Sequence, residues 1–387
     1  MNSEEHFFIQ ILSDYLAQRH TDKQKDLDWN KILQLAQAHQ VEGIIYNQCK
    51  DLLPDSVRST FEKAYGATVF QYMNRMADLE EIRRFFNAAS VPFFTVKGPI
   101  IAGYYPIPEL RTMGDADLVI RAKDREKSDA LMKSMGFTSP YNGNEEEYHY
   151  DRRGFAYELH ERLVHRNVAT HTQADDFFNN FWLYVKDGKL DPSFHFLFLL
   201  KHLQGHFMIS GVGFRQFMDV AVMGKNESAL NWSWIQEKLD EIGMLDFAKN
   251  CIGFIYKWFG IKMPIEMMIP DDNFYEIGTE GILNNGVFGF NNEENQKNHT
   301  LNDARKAGGI GMVKNALGYV FMPYSKMKTV EAYSYLKDRP YLFPVAWIHR
   351  LGRGVKNFSN SKKNMARNFA SKEEISKRDK YLKKWGL

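Results

Sequence analysis

Two aspartates one residue apart, Asp115 and Asp117, stand in a segment whose other positions, Ala116, Leu118, Val119 and Ile120, are apolar. A strand points alternate side chains to the same side, so both carboxylates would share a face. Two like charges on a buried strand repel each other and are costly to desolvate, and a divalent cation compensates them directly. Mg²⁺ takes hard oxygen ligands and keeps positions for water and phosphate, which suits paired aspartates better than a closed cage. Glu158, in FAYELHERLV, supplies a third carboxylate; alternation places Tyr157 and Leu159 on one face and Glu158 with His160 on the other. Three carboxylates on adjacent strands fit a two-metal displacement at phosphorus, in which Glu158 could also accept a proton. Taken singly, each residue is equally well explained as a solvated strand edge or a surface glutamate. What argues for a site is their order after a strand, a Lys-Gly turn and a short helix.

That turn is Lys97-Gly98-Pro99. Proline is favoured at the first helical position, glycine lets a ligand approach the backbone, and helix N-termini attract phosphate. Lys97 would add a charge beside Gly98, and the Arg111 guanidinium could either grip phosphate or neutralise the aspartates. His160 could orient Glu158, contact an acceptor or simply pack. His202 and His206 are four apart on an expected helix, a metal-compatible spacing without the accompanying glutamate of a zinc motif. Arg215 and Asp219 have the same spacing, for which an i,i+4 ion pair is the default explanation. Their helix face could equally meet nucleotide or acceptor.

The surrounding pattern has four parts. Residues 1–90 carry apolar residues at three-and-four spacing and read as all-helical. From 91 to 165 the period changes: VPFFTV, DADLVI and two strands turning at Arg153-Gly154 predict an α/β core with a mixed sheet and flanking helices. Residues 166–270 return to helices, and 271–387 read as turn-rich, with GVFGFNNEENQKN as a surface loop, a helix near 300–318 and a basic tail. The last 35 residues hold eleven Lys or Arg against three acids, which predicts a solvated basic helix or arm. A chain of 387 residues exceeds what one core usually organises, and 44% hydrophobic with 25% charged residues suits folded domains. The net charge of +2 argues for no nucleic acid partner by itself. Cys49 and Cys251 lie in no metal or disulfide spacing and are expected as buried thiols. Trp232, Trp234 and Trp258 read as core rather than stacking platforms. The acidic start lacks the order of a secretory signal, and no apolar run is long enough to span a membrane, so the expected location is cytoplasmic.

KGPIIAGYYPIPELRTMGDADLVI followed by YELHERL resembles the bacterial family of uncharacterised nucleotidyltransferases, a branch of the polymerase-beta-like nucleotidyltransferase superfamily. The resemblance is tightest over residues 91–163 and continues weakly through GVGFRQFMDVAVM and RPYLFPVAWIHRL. It implies a nucleotidyltransferase-type α/β core embedded in additional helical N- and C-terminal regions. It also implies Mg²⁺- or Mn²⁺-dependent transfer of a nucleoside monophosphate from a nucleotide triphosphate to an unknown acceptor, a small molecule or a protein. Asp115 and Asp117 match the metal-binding pair and Glu158 the third carboxylate. Pro99 departs from the superfamily's Gly-Gly or Gly-Ser turn, removing a hydroxyl and a backbone donor, and puts the triphosphate grip on Lys97 and Arg111. Two further readings stay open: a nucleotide-binding regulatory module without turnover, and an RNA-modifying transferase resting on the basic tail alone.

Overall fold

The computed structural model describes residues 1–139, 147–164, 173–209, 211–286, 324–327, 331–336, 339–356 and 372–387. They fall into two compact units: residues 1–207, 211–289 and 385–387 form the first, and 208–210 and 290–384 the second. The loop expected after Gly286 and the helix expected near 300–318 lie outside the described residues.

The first unit opens with four helices, α1 (Ser3–Ala17), α2 (Trp29–His39), α3 (Glu42–Cys49) and α4 (Asp55–Ala88). Asn2 and Glu5 start α1 with a reciprocal capping box, the Asn2 side chain accepting the Glu5 N–H at 2.9 Å and the Glu5 carboxylate the Asn2 N–H at 2.8 Å. The chain then enters a sheet: β1 (Phe93–Val96), a single turn α5 (Gly98–Ile101), β2 (Asp115–Ile120), α6 (Arg125–Ser134), β3 (Glu147–Arg152) and β4 (Phe155–His160). Arg153 and Gly154, both with positive φ (58° and 79°), make the tight β3–β4 turn expected there. The sheet order is β1-β2-β4-β3, with β2 and β4 parallel and the other pairs antiparallel, so the expected mixed sheet forms.

One face of this sheet is apolar. Ala116, Leu118, Ile120, Tyr150, Tyr157 and Leu159 pack on Leu79, Ile82 and Phe86 of α4 and Met132 of α6. Burying that many large side chains is worth roughly 1.5–3 kcal/mol each and holds α4 across the sheet. The other face carries the acids.

Helices α7 (Gln173–Asn179), α8 (Pro192–Ile209), α9 (Phe214–Asn226), α10 (Trp232–Glu241) and α11 (Leu245–Phe259) follow where periodicity places them, with a small hairpin, β5 (Val185–Lys186) and β6 (Lys189–Leu190), before α8. A twelfth helix, α12 (Asp272–Asn285), occupies part of the stretch read as turns. It starts at Asp271, whose carboxylate accepts the Phe274 N–H at 2.7 Å, and it buries Phe274, Ile282 and Leu283; polar and glycine residues between them had hidden the helical spacing. Cys49 and Cys251 are buried free thiols, and Trp258 is core. Among the described residues no helix is long and apolar enough to cross a membrane.

The basic tail departs from a solvated arm. Residues 372–384 form a helix, yet Trp385 is fully buried in the first unit, stacked on Phe254 with ring centroids 4.4 Å apart and tilted against Phe207 at 4.6 Å. Leu382 is buried as well, and the charge density of the tail gave no sign that either side chain packs. The second unit has its own small core of Met327, Tyr333, Leu336 and Ala346, with Phe343 and Trp347 packed against it.

His39 ends α2 wholly buried between Phe8 and Phe214, its Nδ1 accepting the Phe214 N–H at 3.1 Å. Burial lowers its pKa from 6.5 to about 4, against a smaller opposing effect of the Leu283 backbone. The unfolded chain takes up this proton near pH 6.5, the folded chain only near pH 4, so the stability is full above 6.5 and drains away as the pH falls to 4. The loss should approach about 3 kcal/mol. Thermal melts from pH 7.5 to 4.5 should show a shallower slope for His39→Asn, whose amide oxygen can accept the same N–H without titrating; identical slopes would contradict this assignment.

Candidate metal and nucleotide site

Strand register lines up one row across the polar face of the sheet. Val96 pairs with Asp117, Asp117 with Glu158, and Glu158 with His149. Asp115 lies two residues before Asp117 and His160 two beyond Glu158, so all share the face opposite the apolar core. The structure thus brings Asp117, Glu158 and His160 together and places Asp115 on the same face.

Their surroundings differ sharply. Asp117 is nearly fully buried, and its Oδ1 takes the Lys97 ammonium at 2.7 Å and His160 Nε2 at 2.9 Å. Burial alone would raise its pKa; the Lys97 charge and the His160 hydrogen bond outweigh that and hold it below the ordinary value. Glu158 meets His160 Nε2 at 3.3 Å and His149 Nδ1 at 3.2 Å. Its pKa is lowered, burial being overcome by the His160 hydrogen bond and charge. His160 is raised to about 9 because its two carboxylate partners outweigh the burial that would lower it. Asp115 is the exception: among the described residues its carboxylate has no side-chain hydrogen bond or ion pair, and burial followed by repulsion from Asp117 raises its pKa.

Lys97 is anchored at both ends. Its φ and ψ of 56° and −120° lie in a region that side-chain-bearing residues rarely adopt, and its N–H donates to His195 Nε2 on α8 at 3.0 Å. Gly98 is buried beside it, and a Cβ there would lie 2.8 Å from Arg111 Nη1 and 3.1 Å from Met113 Cγ. The glycine therefore makes room for neighbouring side chains of the protein itself. Pro99 sits in the first turn of α5, as expected.

Arg111 lies within this fabric. It is buried and binds Asp219 on α9 through both Nε (3.1 Å) and Nη2 (2.7 Å), while Nη1 donates to the Thr112 carbonyl at 3.2 Å. Tyr105 O–H also donates to Asp219 at 2.7 Å. The fork that sequence offered to phosphate is thus closed on a carboxylate 108 positions away. With both Asp219 oxygens engaged, the expected Arg215–Asp219 pair does not form; Arg215 instead donates to the Thr112 carbonyl (2.9 Å) and Gln40 Oε1 (2.7 Å). Burial lowers the Arg215 pKa to about 10. Arg75 on α4 completes the clamp, reaching the Met113 and Gly114 carbonyls at 3.0 and 3.1 Å. Three guanidinium groups therefore fix the four residues that lead into Asp115.

His202 and His206 face each other with Nε2 atoms 3.1 Å apart. Burial lowers both pKa values, His206 to about 4, and the Lys97 charge adds to the shift. Together with His195 they form a histidine stripe at helical spacing along α8. That stripe was readable from sequence, although His195 was overlooked. His149 and Arg75 were missed for want of any local signal, since only strand register and the α4 packing bring them in.

Among the described residues, the cluster with metal-ligand geometry is Asp117, Glu158 and His160, whose candidate donor atoms lie within 4.8 Å of one another. Asp115 lies on the same face of the sheet but outside that cluster.

The sequence model of a family described as uncharacterised nucleotidyltransferase matches residues 25–260, which is more than half of the chain. No curated protein and no solved structure matches significantly. The match covers the whole acidic row, the Lys-Gly turn and the helices α8 and α9 that brace them, and the chain belongs to this nucleotidyltransferase family.

Proposed function

We propose that the protein transfers a nucleoside monophosphate from a nucleotide triphosphate to a small-molecule or protein acceptor, using Mg²⁺ or Mn²⁺ held by Asp115, Asp117 and Glu158. The observation that carries this reading is the cluster of Asp117, Glu158 and His160, whose candidate donor atoms lie within 4.8 Å of one another, with the half-buried Asp115 carboxylate on the same face and, among the described residues, in no side-chain hydrogen bond or ion pair. The donors fit the group: hard carboxylate oxygens on one face, backed by a histidine that fixes their orientation. When bound, a divalent cation would neutralise the triphosphate oxygens and the developing charge at the α-phosphorus.

The chain's own residues account for the rest. Glu158 is poised to take the proton of the acceptor hydroxyl as its oxygen attacks the α-phosphorus and pyrophosphate leaves. His160 orients Asp117 and Glu158 by bridging them. Lys97 is the cation available to the phosphates, because Arg111 is engaged by Asp219. The α4, α9 and loop arginines keep Asp115 in register, and small displacements there would cost rate.

Calorimetric titration of each nucleotide triphosphate with Mg²⁺ or Mn²⁺ tests the reading. Wild type should bind at least one, and Asp115→Ala/Asp117→Ala should lose at least tenfold in affinity. No binding to wild type, or undiminished binding to the double variant, would sink it. A second reading, a nucleotide-binding module without turnover, is favoured by Pro99 and by Lys97 and His160 both engaging Asp117 Oδ1. Pyrophosphate release on adding cell extract would decide for transfer.

A further inference from the structure

The Lys97 backbone is held in a strained conformation, and the strain aims its side chain. Its N–H is fastened to His195 Nε2 at 3.0 Å, its carbonyl accepts the Ile101 N–H at 2.9 Å, and its ammonium lies 2.7 Å from Asp117 Oδ1. A glycine would fit this backbone without strain but would bring no charge. The same Asp117 oxygen also carries His160 Nε2 at 2.9 Å. A divalent cation held by Asp117 and Glu158 would draw on the Asp117 carboxylate, and a positive group in contact with its Oδ1 opposes that arrival. Of the two groups in place, the His160 side chain is only 7% exposed and bridges two acids, whereas Lys97 is 20% exposed on a flexible stem. Lys97 is the one with a way out.

We propose that Lys97 is a tethered counterion of the acidic row, neutralising Asp117 until a divalent cation binds, then ceding that oxygen and turning its ammonium to the polyphosphate. Asp115, which among the described residues has no side-chain hydrogen bond or ion pair, would stand on the same face as the cation. His195 is a positioning residue that acts through the Lys97 main chain. This inference rests on the metal-dependent reading above. It makes a prediction of unusual sign: removing a cationic side chain should improve cation binding and impair polyphosphate binding.

The test uses the full chain and Mn²⁺ without nucleotide, free Mn²⁺ being counted by electron paramagnetic resonance. Lys97→Met should bind Mn²⁺ at least tenfold more tightly than wild type, yet bind inorganic tripolyphosphate in the presence of saturating Mn²⁺ at least tenfold more weakly. Lys97→Gln, which keeps a donor to Asp117 but no charge, should behave likewise and answers the question if Lys97→Met does not fold. His195→Gln, able to accept the Lys97 N–H, should match wild type, while His195→Leu should shift toward Lys97→Met. Mn²⁺ binding that is measurable in wild type and equal or weaker in both Lys97 variants overturns the counterion role and leaves the metal site standing. Absence of Mn²⁺ binding in wild type and variants alike overturns both.

Discussion

Asp115→Asn is expected to leave the protein inactive and more stable. In the absence of metal the substitution removes a half-buried charge that faces Asp117 and, among the described residues, has no side-chain hydrogen bond or ion pair, and relief of this kind typically adds about 0.5–2 kcal/mol. Asp117→Asn should do the opposite. It leaves the buried His160 and the half-buried Lys97 around an uncharged side chain, and breaking one member of such a set costs up to about 3–5 kcal/mol. Without divalent metal, melting temperatures should therefore rank Asp115→Asn above wild type above Asp117→Asn. Saturating Mg²⁺ or Mn²⁺ should narrow or reverse the first gap, because ligand at about a hundredfold excess over Kd stabilises the binding-competent form by about 3 kcal/mol. Both variants should lose at least about 10²–10³-fold in nucleotidyl transfer, the scale of losing one preorganised electrostatic contact. Equal melting temperatures for all three proteins would show that the acids do not differ in compensation as the geometry requires.

The second large effect lies far from the acids. Trp385→Ala should destabilise the first unit by about 3–5 kcal/mol, since a fully buried ring packed on Phe254, Phe207 and Phe274 leaves a cavity that neighbours cannot fill. Against a total of about 5–15 kcal/mol this is a large share. Gly386→Ala should be nearly as harmful: its φ is +81°, and a Cβ would lie 2.7 Å from the Phe247 nitrogen. Denaturant melts read both, and a truncation ending at residue 384 should resemble Trp385→Ala. A tail that could be removed without lowering the midpoint would contradict the docked tryptophan. Any test of RNA binding by deleting the basic tail must therefore keep Trp385, or loss of folding will pass for loss of binding.

Much was legible from the chain alone. Alternation in DADLVI and FAYELH placed the acids and His160 on one face, because side-chain direction in a strand is a local, period-two property. Helical periodicity likewise marked α1, α4 and α7 to α11, with α2 and α3 read as one run over residues 29–49, since it depends on residues three and four apart. The Lys-Gly-Pro turn marked where the strand gives way to a helical turn, and the family resemblance rested on these same local patterns. Partnership was not legible. That Asp117 is neutralised while Asp115 is not follows from parallel pairing of β2 with β4 and from the turn that aims Lys97, features linking residues 20 to 43 positions apart. The Arg75 clamp spans a similar separation, and the closure of Arg111 on Asp219, the engagement of Arg215 with Thr112 and Gln40 and the His195 anchor span longer ones. A charged side chain several ångströms long can reach many partners, and its own sequence neighbourhood does not say which. Local patterning dictates which groups face the site; long-range packing settles which of those charges already have partners.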